Sequence, residues 1–214
     1  MKTLTAKVVG PRDGKAGFLG SIGVRFMIDG EETRGGFSLV EHPMSARALA
    51  APLHRHTRED EYSFVLEGRV GALLGEEVLV GGPGDLIFKP RNQWHTFWNA
   101  GDEPARLLEI IAPAGFERFF NELVDLGGVT SAEPEILADL CARYGLEMTP
   151  AASRASLSAS ISGFLARQSE AESALKSRPV FAYPPGDMLG SRVRQGLLQA
   201  LSQNGTSGPE REAR

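Results

Sequence analysis

A single cysteine, Cys141, in 214 residues has no intrachain partner for a disulfide and cannot supply the several thiolates of a closed structural zinc site. Long apolar runs are also missing. Nothing approaches the roughly 20 residues that span a bilayer, so a soluble protein is expected. The opening Met-Lys-Thr-Leu-Thr-Ala-Lys-Val-Val-Gly lacks the apolar stretch of a secretory signal, which with the lone thiol fits a cytoplasmic location. Basic excess is lacking as well: a net charge of −4 offers no footprint for a phosphate backbone, and nucleic acid is not an expected partner. No segment repeats, so no second copy of the principal domain is expected.

Histidine is scarce, with four in the chain, and its placement is informative. Three fall at His54, His56 and His95, on or beside stretches that read as strands. Imidazoles at i and i+2 on an extended segment project from one face. A carboxylate past a short turn, Glu61 or its neighbours Glu59 and Asp60, can reach the same point, and His95 on a neighbouring strand closes the set. Imidazoles with a carboxylate are ligands that first-row divalent metals prefer, and three histidines plus one glutamate leave open positions in five- or six-coordinate geometry. His42 stands apart and reads as a hydrogen-bonded core or surface residue. Arg55, Arg58, Glu59 and Asp60 read as a solvated loop.

Residues 1–112 alternate short apolar runs with turn residues, an all-β pattern that favours a sandwich or closed barrel. Strands are expected near 4–9, 22–28, 36–41, 48–55, 61–67, 69–74, 77–80, 86–89, 94–99 and 105–111. Gly81-Gly82-Pro83-Gly84 is the strongest turn signal. Over 113–148 the texture turns helical. Phe116, Phe119, Phe120, Leu123 and Leu126 precede the stop at Gly127-Gly128, and a second helix runs from an N-cap at Thr130 or Ser131, with Pro134 in its first turn, to Gly145. Both helices are expected on the outside of the barrel or against a partner subunit. An Ala/Ser-rich extension over 149–202 with weak helices and a disordered tail over 203–214 complete the expected organisation.

The segment His54-x-His56-x4-Glu61-x6-Gly68 resembles the first motif of the cupin superfamily, and Gly84-x5-Pro90-x-Asn92-x2-His95-x3-Asn99 resembles the second. The resemblance implies a cupin jelly-roll barrel in which His54, His56, Glu61 and His95 coordinate one divalent transition metal. The x4 spacing and the Gly68 terminator favour Glu61 over Glu59 and Asp60. The chain departs from the family at Ala48 and Asn92, where glycine is usual, and asparagine is the residue that most readily replaces glycine at positive φ. Around Glu61–Gly68 and Leu107–Glu117 the chain is similar to single-domain bacterial proteins called quercetin-dioxygenase-like. The resemblance also implies a homodimer.

Alternation from His95 and Glu61 turns Phe97, Asn99, Ser63 and Val65 inward as substrate-binding candidates. Glu109 is a candidate for the same cavity, or else points outward to Arg106 or Arg118. Trp94 and Trp98 read as outer packing, and Cys141 as a small buried residue. The leading expectation is a mononuclear oxygenase for a small aromatic or enol substrate, with Fe(II) first among Fe, Mn, Ni, Cu and Zn, and with Glu61 as a labile ligand or proton acceptor. A non-redox isomerase or polyketide-type cyclase and a non-catalytic small-molecule-binding module are the alternatives.

Overall fold

The structure, a computed structural model, describes residues 5–149; the expected extension and tail beyond them lie outside the described residues. In chain order the strands are β1 (Ala16–Phe18), β2 (Gly23–Ile28), β3 (Ser38–Met44), β4 (His54–His56), β5 (Asp60–Glu67), β6 (Val70–Leu74), β7 (Glu77–Gly81), β8 (Leu86–Lys89), β9 (His95–Asn99) and β10 (Ala105–Ala112). Helices α1 (Glu117–Asp125) and α2 (Pro134–Arg143) follow, and β11 (Leu146–Met148) closes the described segment. One antiparallel sheet runs β1-β2-β3-β10-β5-β8 and the other β11-β4-β9-β6-β7. This is the expected all-β jelly roll with helices on its C-terminal side.

Period-two alternation places the interior. On β10, Ala105, Leu107, Glu109 and Ile111 are buried while the residues between them are half-exposed. On β5, Glu61, Ser63 and Val65 share the inner face, and on β8 Ile87 and Lys89 point in while Leu86 and Phe88 stay exposed. Every residue of β9 is buried, because residues 48–50 run along it: Ala50 N–H donates to Phe97 O at 2.9 Å and Asn99 N–H to Ala48 O at 2.8 Å. Trp98 therefore packs among Leu49, Leu73, Val78 and Val80 rather than facing solvent. A Cβ at Gly71 would sit 2.4 Å from the Trp98 ring, so glycine is what lets the indole lie flat on β6.

Three expectations need correction. Residues 5–9 form no strand, and the edge beside β2 is taken by Ala16–Phe18 instead. The run 48–55 pairs regularly only from His54, since Pro52 has no N–H for a ladder, and Leu49 contributes one isolated bridge to Trp98. The cap of α2 is Glu133 in an extended conformation, with Pro134 at the first helical positions, where a missing N–H costs nothing. α1 lies against the barrel. Phe119 and Leu123 of α1, and Phe116 just before it, belong to the main core, and the Phe116 ring meets His56 edge-on at 4.2 Å.

The turn that launches β9 is pinned to β4 and β5. Arg91 N–H donates to Asp60 Oδ1 at 2.8 Å, and Asn92 N–H donates to His56 O at 2.7 Å. Asn92 holds φ +64, the left-handed conformation expected of it. Urea unfolding should therefore show Asn92→Gly close to wild type and Asn92→Val destabilised by about 1–2 kcal/mol; equal losses for the two would remove backbone strain as the reason for asparagine here.

Candidate metal centre

Register assembles the site. β4 carries His54 and His56 on one face, and His54 lies opposite His95 of β9. Glu61 arrives from β5 in the facing sheet. Ligand atoms of His54, His56, Glu61 and His95 all lie within 4.8 Å of one another, and all four residues are buried. Glu61 Oε2 is 3.2 Å from His95 Nε2 and Glu61 Oε1 is 3.4 Å from His56 Nε2.

The rings are oriented by their other nitrogens. His54 Nδ1 donates to Pro52 O at 2.7 Å and His95 Nδ1 to Gln93 O at 2.9 Å. A carbonyl only accepts, so each Nδ1 carries a proton and each Nε2 faces the cluster. The short His95–Glu61 contact then needs positive charge between the two atoms, a proton or a cation. His56 has neither nitrogen hydrogen-bonded, with Nδ1 3.9 Å from Glu59 Oε2. Burying unmet polar atoms costs about 1–3 kcal/mol each, and a cation at Nε2 would remove that cost. Burial lowers His54 well below the usual histidine range and His56 to about 4, so both present lone pairs at neutral pH. Burial opposes charge on Glu61, yet His56, Lys89 and His95 around it hold its carboxyl well below the usual range. Three imidazoles and a carboxylate converging on one point fit a divalent transition metal.

The flanking acids separate. Asp60 is held by Arg91 at 2.7 Å. Glu59, expected on a solvated loop, is buried because the short turn after β4 folds it back onto the outer side of His56; burial pushes it up to about 7. It stands behind a ligand rather than among them.

Sequence reasoning missed Lys89. It lies directly opposite Glu61 in the β5–β8 register, and its side chain is 0% exposed, with Nζ 3.0 Å from Glu61 Oε2 and 3.0 Å from Glu109 Oε2. The inward alternation of Ile87 was the signal that could have found it. Burial disfavours its charge, but Glu109 and Glu61 outweigh this and keep the ammonium protonated. Glu109 points inward, not to Arg106 or Arg118, and takes a hydrogen bond from Ser63 Oγ at 2.8 Å. Burial pushes Glu109 up to about 7 against the pull of Lys89.

A cavity of about 910 Å³ opens beside the cluster, walled by His54, His56 and Glu61 at one part and by Phe97, Phe116 and Phe120 at another. Phe97, Asn99 and Glu109 border it, whereas Ser63 and Val65 are not on its wall; they point to the interior but lie behind other side chains. Asn99 also has no free donor for a ligand. Its Nδ2 donates to Ser45 O at 3.0 Å and Glu103 O at 2.8 Å, and its Oδ1 accepts from Gly101 N–H at 2.8 Å, so it clamps the turn after β9. Cys141 is buried, and burial pushes its thiol up to about 11.

Residues 44–111 match the cupin domain family. The chain carries a cupin domain. Both halves of the metal cluster fall inside that span. Solved structures similar to the chain include KdgF from Halomonas sp., at 16% identity and TM-score 0.47 over 53% of this chain and 99% of that one. The polyketide cyclase RemF from Streptomyces resistomycificus is 30% identical, with TM-score 0.45 over 50% of this chain and 80% of that one. A cupin-superfamily sugar phosphate isomerase from Silicibacter pomeroyi is 18% identical, with TM-score 0.43 over 50% of this chain and 75% of that one. No curated protein matches the chain.

Two outcomes test this account of the cupin interior. Lys89→Met leaves two buried carboxylates without their cation and should cost the metal-free protein about 3–5 kcal/mol in urea unfolding. Adding Glu109→Gln should restore part of it, with a coupling of about 1–3 kcal/mol; strict additivity would dissolve the proposed bridge. The second concerns His42, which burial lowers from 6.5 to about 4. A neutral buried imidazole contributes fully above pH 6.5, and its contribution is lost as pH falls towards 4, because only the unfolded chain takes the proton readily. Glu59 and Glu109 shift the other way, so the readout is a difference. Between pH 6.5 and 4 wild type should lose roughly 3 kcal/mol relative to His42→Asn, at about 1.4 kcal/mol for each tenfold change in proton affinity. Parallel pH profiles would refute it.

Proposed function

We propose that the cavity is the active site of a metal-dependent oxygenase acting on a small aromatic or enolic substrate, quercetinase-like in its chemistry. The observation that supports it most is a buried cluster of three histidines and one glutamate opening onto a cavity whose remaining wall is largely phenylalanine and aliphatic. Held by His54, His56, Glu61 and His95, an iron(II) ion, or Mn, Ni, Cu or Zn in its place, would supply Lewis acidity toward a substrate oxygen and, when redox-active, the electron chemistry that dioxygen requires.

The chain's own residues do the rest. Phe97, Phe116 and Phe120 take up an aromatic ring and exclude water, which strengthens every charge interaction inside. Lys89 holds Glu61 Oε2 and so fixes the carboxylate among the three histidines. Glu109 borders the cavity with a carboxyl at about 7, suited to receive an enol proton at Oε1 while Lys89 holds Oε2.

That same Lys89–Glu109 pair favours one second reading, a non-redox isomerase or cyclase, in which proton handling beside a Lewis acid is the whole reaction. Metal analysis of protein purified without added metal, followed by aerobic and anaerobic incubation with flavonols and 1,3-diketones, separates the two. The oxygenase reading expects a near-stoichiometric redox metal, product only in air and no product from His54→Ala. Equal turnover without dioxygen, or with zinc alone, would replace it with the second reading.

A further inference from the structure

His42 is the one histidine outside the metal cluster, yet it lies on the wall of the same cavity. It sits on β3 opposite Leu107 of β10, and it is 1% exposed. Its Nδ1 lies 2.8 Å from Gly23 O, so Nδ1 carries the proton and Nε2 carries the lone pair. Among the described residues no donor meets that Nε2. The ring stands edge-on to Phe120 at 5.3 Å and tilted to Phe97 at 6.4 Å, and its other cavity neighbours include Leu19 and Ile22. An acceptor without a donor is thus set into the phenylalanine-lined part of the wall.

We propose that His42 Nε2 accepts a hydrogen bond from a ligand hydroxyl other than the oxygen directed at the metal cluster, so that the cavity selects hydroxylated aromatic ligands over their deoxy analogues. This rests on the aromatic-ligand reading above. The mechanism there makes no use of His42, and a purely structural histidine would need only its Nδ1. Burial keeps the ring neutral at physiological pH, so it remains an acceptor and does not become a second donor. A buried acceptor that has lost its donor is where discrimination against a missing hydroxyl arises, because the deoxy ligand leaves the nitrogen desolvated and unpaired.

The test compares kaempferol with galangin, which lacks only the ring hydroxyl distal to the 3-hydroxy-4-ketone. Zinc-loaded protein under anaerobic conditions is titrated calorimetrically with each. Wild type should bind kaempferol about tenfold more tightly. His42→Asn keeps an amide donor for Gly23 O but has nothing at the Nε2 position, and His42→Phe keeps the ring shape; both should bind the two flavonols equally, near the galangin value. In wild type labelled with nitrogen-15, kaempferol alone should move the Nε2 resonance of His42 upfield. Equal affinities in wild type, or a preference that survives both substitutions, would overturn the role of His42 and leave the proposed function standing. Failure of either flavonol to bind wild type would overturn the aromatic-ligand reading and this role together.

Discussion

Lys89 lies with its ammonium 3.0 Å from Glu61 and 3.0 Å from Glu109 in the interior of a β-barrel, and the rest of the site is arranged around that fact. Burying an ion costs several kcal/mol even after relaxation, and only good geometry with further hydrogen bonds returns it. Here the geometry comes from strand register: Glu61 faces Lys89 across β5–β8, and Ser63 faces Glu109 across β10–β5. A slip of one residue in either pairing would turn a charged side chain outward and strand its partners. The bridge is therefore a specification of register as much as a source of stability. Glu61, held ionised by its neighbours, shares that one ammonium with Glu109 and so still turns negative charge towards the imidazoles, a setting that favours a cation.

The two sheets contribute unlike chemistry to this interior. The β11-β4-β9-β6-β7 sheet brings His54, His56 and His95, and the facing sheet brings Glu61, Lys89 and Glu109. Neither sheet alone holds the full donor set, so the centre exists only when the sandwich is packed. α1 completes the enclosure. Phe116 against His56 and Phe120 against His42 replace water at two imidazoles at once, and in the lower dielectric that results each remaining charge contact is stronger. Core packing and site electrostatics are one construction here.

Much of this was legible in the sequence because it depends on short-range geometry. His54 and His56 at i, i+2, the inward set Glu61, Ser63 and Val65, and the face of Leu107, Glu109 and Ile111 all follow from period-two alternation. Asn92 was readable because few residues tolerate its backbone conformation. What was not legible depends on partners distant in the chain. Lysine is rarely buried, and nothing local to Lys89 announces two carboxylates, one of them supplied by β10. Glu59 reads as loop until the turn folds it onto His56. β11 is three residues that mean nothing until β4 offers an edge. The inward face of α1 was seen as a periodic stripe, but which surface it would cover is a property of the assembled barrel. Asn99 borders the cavity as alternation placed it, but its bonds to Ser45, Glu103 and Gly101 were not readable, since alternation fixes direction and not what an amide will meet.

The division within the cavity bears on what decides the reaction. Charged groups cluster where a metal would sit, while His42, beside Phe97 and Phe120, is held neutral by burial. Charge fixes an ion and the oxygen directed at it, while a neutral acceptor in an apolar wall can only discriminate, since its worth appears when a donor is present or missing. Under the proposed function, Lys89 and Glu109 would serve proton movement in oxygenation and in isomerisation alike. The same side chains would thus support either proposed course, and the choice would pass to the redox capacity of the ion that His54, His56, Glu61 and His95 could hold. Selection pressure on such a centre would act through affinity for one metal over another, which makes Glu61, the single anionic donor and the one ligand tied to Lys89, the residue whose surroundings most directly tune that preference.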